Sequence, residues 1–393
     1  MDKVVPMSAT VPFMKPYLTG KELHHLERVL AQGHLSGDGP YTARCHEFFK
    51  HRFGLKNVFL TCSATDALEM AALLSGVGPG DEVIIPSYTF VSTANAFALR
   101  GATIRFADSQ AAHPNVSVEQ IRPLINDRTR VIVVVHYAGV ACDMDPICRL
   151  AEEHDLIVVE DAAQAIGATY KGRPLGSIGH LACFSFHESK NIQCGQGGLA
   201  VVNDEALVER AEYAWQKGTN RSKFARGEVS KYRWVDLGSS YLPGESVAAL
   251  LWSQLEELDT IYQLRRAAWD YYHRELSDLS LGVQLPKIPP YAEHNGHIYQ
   301  IVLPCEDWLN DLVSNLQQAG VSLHTHYLSL HQSPYFQPFH DGRELPQADL
   351  LTKRLVRLPL FNDITEEQSA RVVNLCKEFF YARADREPVK GPV

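Results

Sequence analysis

Lys190 stands in the segment Ser185-Phe186-His187-Glu188-Ser189-Lys190-Asn191, just past the apolar run Leu181 to Phe186. Upstream, the apolar run Leu156 to Glu160 leads into Asp161-Ala162-Ala163-Gln164. A lysine and an aspartate at the C-terminal ends of two buried strands are the two groups that pyridoxal phosphate chemistry needs most. The amine carries the cofactor's aldehyde. The carboxylate keeps the ring nitrogen protonated, so that the ring draws electrons from the reacting carbon. Each residue has a plainer reading on its own. An aspartate after a strand commonly caps the next helix, and a lysine there is commonly just solvated. A lysine that acts as a base near neutral pH needs its amine held neutral, which burial and a neighbouring cation can do.

A phosphate needs a cradle. Thr61-Cys62-Ser63-Ala64-Thr65-Asp66 ends one apolar run and opens a helical pattern, so the free N–H groups around Ala64 and Thr65 suit a dianion. A plain Ser/Thr helix cap would read the same. Ser185, five residues before Lys190, offers a hydroxyl to the same phosphate. Phe90, in Pro86-Ser87-Tyr88-Thr89-Phe90-Val91-Ser92-Thr93, offers a flat ring to stack on another; by itself it reads as core. His136-Tyr137-Ala138-Gly139 follows the run Val131 to Val135, at the sheet edge where ligands bind in such folds. His324, His326, Tyr327 and His331 crowd together late in the chain. No carboxylate or cysteine accompanies them at ligand spacing, so no metal site is expected.

Elements that would position these residues are legible. Strands are expected at Val58 to Leu60, Glu82 to Pro86, Thr103 to Ala107, Arg130 to Val135, Leu156 to Glu160, Leu181 to Phe186 and Gly198 to Val202. Helical patterns fall between most of them: Ala64 to Leu74, Phe90 to Leu99, Val118 to Leu124 and Pro146 to His154. This rhythm predicts an α/β fold with a mostly parallel sheet covered by helices on both faces. The pattern changes after Glu205. A helix is expected to Trp215, then a polar stretch from Lys217 to Lys231, then one or two long helices over Ser246 to Glu275. A strand (Tyr299 to Leu303), a helix (Trp308 to Gln318), a strand (Val321 to Tyr327) and a last helix (Glu366 to Tyr381) complete a smaller α+β unit. The expected division is a large domain over 1–250 and a small one over 251–393, with a polar tail from about residue 385.

Bulk properties exclude several classes. The 393 residues suffice for two domains, and 45% hydrophobic with 21% charged residues is ordinary for a soluble globular chain. Net charge is −9 and no Lys/Arg-rich run occurs, which argues against nucleic acid as a partner. The N-terminus Met1-Asp2-Lys3-Val4-Val5-Pro6 does not read as a signal peptide, and the apolar runs are too short to cross a bilayer. The eight cysteines are scattered with no CxxC pair, so reduced thiols and a cytoplasmic location are expected. Cys194 lies near Lys190 and reads as a small loop residue.

Taken together, these residues resemble the pyridoxal phosphate-dependent nucleotide-sugar aminotransferases of the DegT type, which have the aspartate aminotransferase-like (type I) fold. The resemblance runs from Val11-Pro12-Phe13 and Ser36-Gly37-Asp38-Gly39-Pro40 to Leu358-Pro359-Leu360. The segments Pro86 to Phe97, His136 to Cys142, Ser185 to Asn191, Lys217 to Arg221 and Leu237 to Leu242 look most like one branch. That branch makes dTDP-4-amino-4,6-dideoxygalactose for bacterial surface polysaccharide.

The resemblance implies roles residue by residue. Lys190 matches the lysine that holds the cofactor and shuttles the proton, and Asp161 the partner of the ring nitrogen. Gln164 stands beside the cofactor's phenolic oxygen. Ala64, Thr65 and Ser185 match the phosphate cradle, and Phe90 the stacking ring. Ser240 stands where most relatives place an asparagine that reaches the phosphate from the other subunit, which implies a homodimer with shared active sites. His187, His326 and Tyr327 are expected in the sugar pocket. The implied reaction takes an amino group from L-glutamate to C4 of a dTDP-4-keto-6-deoxy sugar. A gluco or 3-amino outcome is the nearest alternative, and a non-catalytic regulator a more distant one. Two places depart from the pattern. Gln196 stands where relatives carry an acid. Pro243-Gly244-Glu245-Ser246-Val247-Ala248 replaces a segment usually containing a threonine or serine, an acid and a glutamine.

Overall fold

Short apolar runs rich in β-branched residues form the centre of the molecule. The computed structural model describes residues 10–384 apart from Ala112 and Ser280. The expected polar tail and the reading of the N-terminal Met1 to Pro6 therefore lie outside the described residues. Seven strands build the main sheet: β1 (Asn57–Thr61), β2 (Glu82–Pro86), β3 (Thr103–Ala107), β4 (Thr129–Val135), β5 (Ile157–Asp161), β6 (Leu181–Ser185) and β7 (Gly198–Val202). Their order is β1-β7-β6-β5-β4-β2-β3. β7 alone runs antiparallel to its neighbours; the pairs from β6 to β3 are parallel. β4 reads Thr-Arg-Val-Ile-Val-Val-Val and all but Arg130 is buried, as befits a strand covered on both faces.

Helices cover both faces. α1 (Glu22–Gln32) and α2 (Pro40–Phe53) precede the sheet; the sequence patterns considered above had not marked them. α3 (Ala64–Leu74), α4 (Val91–Ala98), α5 (Met144–Glu153) and α6 (Val208–Trp215) alternate with strands, and α7 (Glu245–Leu255) returns against α2. One apolar core holds Phe49, Ile132, Ile147 and Phe184; a second, on the opposite face, holds Leu68, Ile85, Phe97 and Val133. Alternate residues of β4 thus feed opposite cores, as the period of two requires.

A third core lies under the C-terminal elements. The long helical stretch proves to be two helices, α7 and α8 (Leu258–Leu276). α8 joins two cores: Leu258 and Ile261 pack in the first, Trp269, Tyr272 and Leu276 in the third. A second sheet, β8 (Gln300–Val302), β9 (His324–Thr325) and β10 (Leu355–Arg357), has the order β8-β10-β9. It is flanked by α9 (Glu306–Gln318), α10 (Pro346–Arg354) and α11 (Glu366–Ala384). The strand expected over Val321 to Tyr327 joins this sheet only at His324 and Thr325, with an isolated bridge at Val321. Beyond them the chain leaves the sheet, because His326 and Tyr327 turn toward the large sheet's edge and bond there. Val11 bridges to Val321 and packs in the third core.

Register brings the C-terminal strand ends together. Val135 lies opposite Asp161, and Asp161 opposite Cys183. Ser185 and Thr61 both lie opposite Gly198. The start of α3, the end of β5 and the end of β6 therefore share one edge, and a crevice at such an edge is where open α/β sheets bind ligands.

Candidate active site

The crevice is a cavity of about 670 Å³ lined by residues from both sheets, among them Ala64, Thr65, Phe90, Asp161, Gln164, Ser185, His187, Lys190, His326 and Tyr327. At one end lies the start of α3. Ser63 caps it by accepting from the Asp66 N–H, and its carbonyl accepts from Ala67. That leaves the N–H groups of Ala64 and Thr65, the first two helical positions, without intrahelical partners. The Thr65 hydroxyl bonds Ser92 at 2.8 Å. Gly198 makes this geometry possible: a Cβ there would sit 2.4 Å from the Ser63 carbonyl carbon and oxygen and 2.6 Å from the Ala64 nitrogen. The start of α3 can rest on β7 only because that residue has no side chain.

Asp161 closes β5 and is 5% exposed. One carboxylate oxygen accepts from the Thr93 hydroxyl at 2.7 Å, the other from the Ala163 N–H at 3.2 Å. Thr93 is itself bonded to Thr89 at 2.9 Å, one turn back. Burial raises the acid's pKa, while Thr93, Ala163 and the charge of Lys190 oppose that rise. No cation pairs with Asp161 within 4 Å among the described residues. A buried carboxylate short of a counter-charge fits a protonated ring nitrogen.

Lys190 sits on the loop between β6 and β7. The loop is held closed by Phe186 N–H to Gly197, Cys194 N–H to Phe186 and Glu188 N–H to Gly195. Next to it, the Asn191 amide donates to the Asn295 carbonyl, and His297 Nδ1 bonds the Asn191 amide oxygen at 2.7 Å. Burial lowers the Lys190 amine to about 8; Asp161 opposes this and Arg357 adds to it. An amine titrating there is part free base near neutral pH. Cys194 is buried, and burial raises its thiol to about 12, so it is the inert loop residue expected.

Gln164 is fixed from three sides. Its side-chain oxygen accepts from the Ala138 N–H at 2.7 Å, its amide donates to the Tyr327 hydroxyl at 2.7 Å, and its carbonyl accepts from Asn295. His326 stacks on Tyr327 with centroids 3.7 Å apart and bonds the Tyr137 hydroxyl. Burial and the nearby Arg357 hold its imidazole neutral. Phe90 is 55% exposed and faces the cavity, so the core reading for it fails. Its ring is free to cover a flat ligand because it precedes α4 as the residue that caps it. His187 reaches the cavity and bonds Ser189.

Other expected residues are placed elsewhere. Ser240 is exposed and outside the cavity lining, bridged to Gln216. His136 is wholly buried and does not line the crevice; it bonds Glu160 at 2.9 Å and accepts from the Cys142 N–H. Glu160 also accepts from Gly176, Ile178 and Gly179, a closed structural network. The late histidine cluster divides: His331 bonds Ser87, and no group of three ligating side chains among the described residues could hold a metal ion. Glu245, in the departing segment, is buried and accepts from Gly39, Tyr41 and Thr42 at the start of α2. Thr93, Asn191, His297 and Arg357 belong to the site and had not been singled out. Thr93 carried a signal, since it is a hydroxyl in the first turn of α4, which starts at the crevice.

Residues 16–377 match the DegT/DnrJ/EryC1/StrS aminotransferase family. The chain belongs to that family. Among solved structures it is similar to S. venezuelae DesV, solved with a ketimine intermediate: 30% identity over 95% of this chain and 99% of that one, TM-score 0.87. The aminotransferase TlmJ of Streptoalloteichus hindustanus shares 27% identity over 96% of this chain and 100% of its own, TM-score 0.86. A DegT DnrJ EryC1 StrS aminotransferase of Brucella abortus shares 27% over 92% and 95%, TM-score 0.83. The family's enzymes use pyridoxal phosphate, and the residues here fit it. The donors at the start of α3 suit its phosphate, Asp161 its ring nitrogen and Lys190 its aldehyde. The protein is a pyridoxal phosphate-dependent aminotransferase of the type I fold. No helix among the described residues is long and apolar enough to cross a membrane.

Proposed function

We propose that this aminotransferase moves an amino group from L-glutamate to C4 of dTDP-4-keto-6-deoxy-D-glucose, giving dTDP-4-amino-4,6-dideoxy-D-galactose for surface polysaccharide. The observation that carries this reading is the charge and size of the crevice. Lys190, Arg265 and Arg357 line it against the single carboxylate of Asp161. Such a cavity favours anionic ligands, and both a dicarboxylic donor and a sugar diphosphate are anionic. The branch-like segments named above, including His136 to Cys142 and Leu237 to Leu242, support the sugar assignment.

When bound, the cofactor supplies an aldehyde that takes up the amine and a ring that accepts electrons from the reacting carbon. The chain's own residues do the rest. Lys190 Nζ takes the proton from the donor's α-carbon and, in the second half, delivers one to sugar C4. The side from which it delivers decides galacto or gluco configuration. Asp161 would hold the ring nitrogen's proton, and Thr93 aims that carboxylate. Gln164 would meet the phenolic oxygen. Ala64, Thr65 and Ser185 would hold the phosphate, and Phe90 would cover the ring. His326, neutral and locked on Tyr137, gives the sugar pocket a fixed polar wall, with His187 at the mouth.

We read the working unit as a homodimer in the cytoplasm, each chain comprising a large domain to about residue 250 and a smaller one beyond it. In support, Ser240 lies in a segment that also exposes Tyr232, Trp234 and Leu237, with Trp234 78% accessible. An exposed apolar stretch of that kind is characteristic of a contact surface.

The test is a product spectrum. Protein, pyridoxal phosphate, L-glutamate and dTDP-4-keto-6-deoxyglucose are mixed, and the sugar is read by proton NMR. A 4-amino sugar with a small H3–H4 coupling is expected. A large coupling would move the enzyme to the gluco outcome, and an amine at C3 would refute the C4 assignment.

A further inference from the structure

Arg357 is a cation of the crevice with a buried donor left open. It ends β10 and lines the cavity. Its Nη2 donates to the Thr325 carbonyl at 2.8 Å. Its guanidinium lies over the Phe13 ring, 4.6 Å from the centroid. Its Nε is buried and has no hydrogen-bond partner among the described residues. No carboxylate lies within ion-pair distance of it among those residues either. Arg265, the other guanidinium of the lining, differs in kind. Each of its nitrogens is bonded, to the carbonyls of Gly296, His297 and Leu360 and to the Asn362 side chain, and it holds the C-terminal segments together.

A buried guanidinium edge with an unused donor is costly unless a ligand completes it. The fork of Nε and an Nη matches two oxygens of one carboxylate. Around it stand Tyr88, Tyr137, Tyr327 and His326, none of which supplies an anion at neutral pH. Arg357 and Lys190 line the same cavity, and the Arg357 charge helps lower the Lys190 amine.

We propose that Arg357 binds the α-carboxylate of the amino donor, and that of the 2-oxo acid left behind. This rests on the aminotransferase reading above. A carboxylate is favoured over the sugar nucleotide's diphosphate on reach. In an amino acid the carboxylate is bonded to the carbon whose proton Lys190 removes. In the keto sugar, the ring separates the diphosphate from C4. Arg357 therefore reads the donor half-reaction, and the sugar half-reaction proceeds without it.

The experiment uses holoenzyme of the wild type, Arg357→Gln and Arg357→Lys. Calorimetry measures binding of glutarate, a dicarboxylate with no amine to react, and of dTDP. Stopped-flow absorbance measures the loss of the cofactor's visible band with L-glutamate. Circular dichroism and retained cofactor establish that the variants fold. The proposal expects glutarate affinity and the half-saturating glutamate concentration to worsen at least about tenfold in Arg357→Gln, as for a lost charge-assisted pair. Partial recovery in Arg357→Lys and unchanged dTDP affinity are expected alongside. Unchanged glutarate affinity would overturn the proposal. So would a selective loss of dTDP affinity, which would reassign Arg357 to the diphosphate. A wild type that binds no glutarate would also overturn it; amino transfer from a donor without a carboxylate would then leave the aminotransferase reading intact.

Discussion

Replacing Thr93 by valine removes one hydroxyl and keeps the side chain's shape, and it isolates what aims Asp161. The carboxylate has two hydrogen-bond donors, Thr93 at 2.7 Å and the Ala163 N–H at 3.2 Å, so the variant deletes the shorter. A hydrogen bond to a charged group is worth about 1.5–3 kcal/mol. At 1.36 kcal/mol per factor of ten, that is a loss of roughly 10- to 150-fold in whatever the aimed carboxylate supports. Burial already raises the acid's pKa and Thr93 pulls it back, so the carboxylate of the variant ionises less readily and holds the ring nitrogen's proton less firmly. We expect the rate of cofactor bleaching by L-glutamate to fall by that factor and pyridoxal phosphate affinity to weaken. Thr93→Ser should recover most of both. Thr89 loses its own partner at 2.9 Å, so thermal unfolding is measured alongside to separate stability from chemistry. A Thr93→Val enzyme bleached within twofold of the wild-type rate would refute the reasoning.

Two further outcomes follow from the same geometry. The Lys190 amine falls from 10.5 to about 8, so between those values the unfolded chain binds more protons than the folded one. Stability of the cofactor-free protein should therefore rise with pH from about 8 to 10.5 through this residue, by at most about 3 kcal/mol. Lys190→Met should flatten that part of a melting-temperature profile; an unchanged slope would show the amine to be unperturbed. Gly198→Ala should displace the start of α3, since its methyl meets the Ser63 and Ala64 backbone at 2.4–2.6 Å. Equilibrium dialysis should show at least about tenfold weaker pyridoxal phosphate binding, as when a set of charge-assisted bonds is lost; wild-type affinity would mean that the cradle lies elsewhere.

The site's skeleton was readable because strand ends announce themselves. Lys190 and Asp161 each follow an apolar run, and the runs at Glu82 to Pro86, Thr103 to Ala107 and Gly198 to Val202 proved to be strands with those bounds. The residues supplied from the far side were not readable. His297 and Arg357 come more than 100 residues after Lys190 in the chain, and nothing local marks them as its neighbours. Phe90 looked like core because aromatic residues usually are, whereas its place before α4 leaves the ring facing the crevice. His136 looked like a ligand group because it ends a strand at the right edge. Its side chain turns the other way, where Glu160 and the Cys142 N–H hold it. Alternation of side chains along a strand decides that, and one residue's difference sends the group to the opposite face. The aromatic and histidine run after Val321 looked like a longer strand because bulky residues favour sheets, yet its partners lie at the crevice instead.

The most direct test of the account is a spectrum of two proteins, the wild type and Lys190→Ala, each reconstituted with pyridoxal phosphate and titrated with L-glutamate. The wild type should lose the cofactor's visible band and regain it with 2-oxoglutarate. Lys190→Ala should keep its fold and bind the cofactor, yet show no transfer of the amine. Normal bleaching and recovery in Lys190→Ala would contradict the central claim that this amine moves the proton.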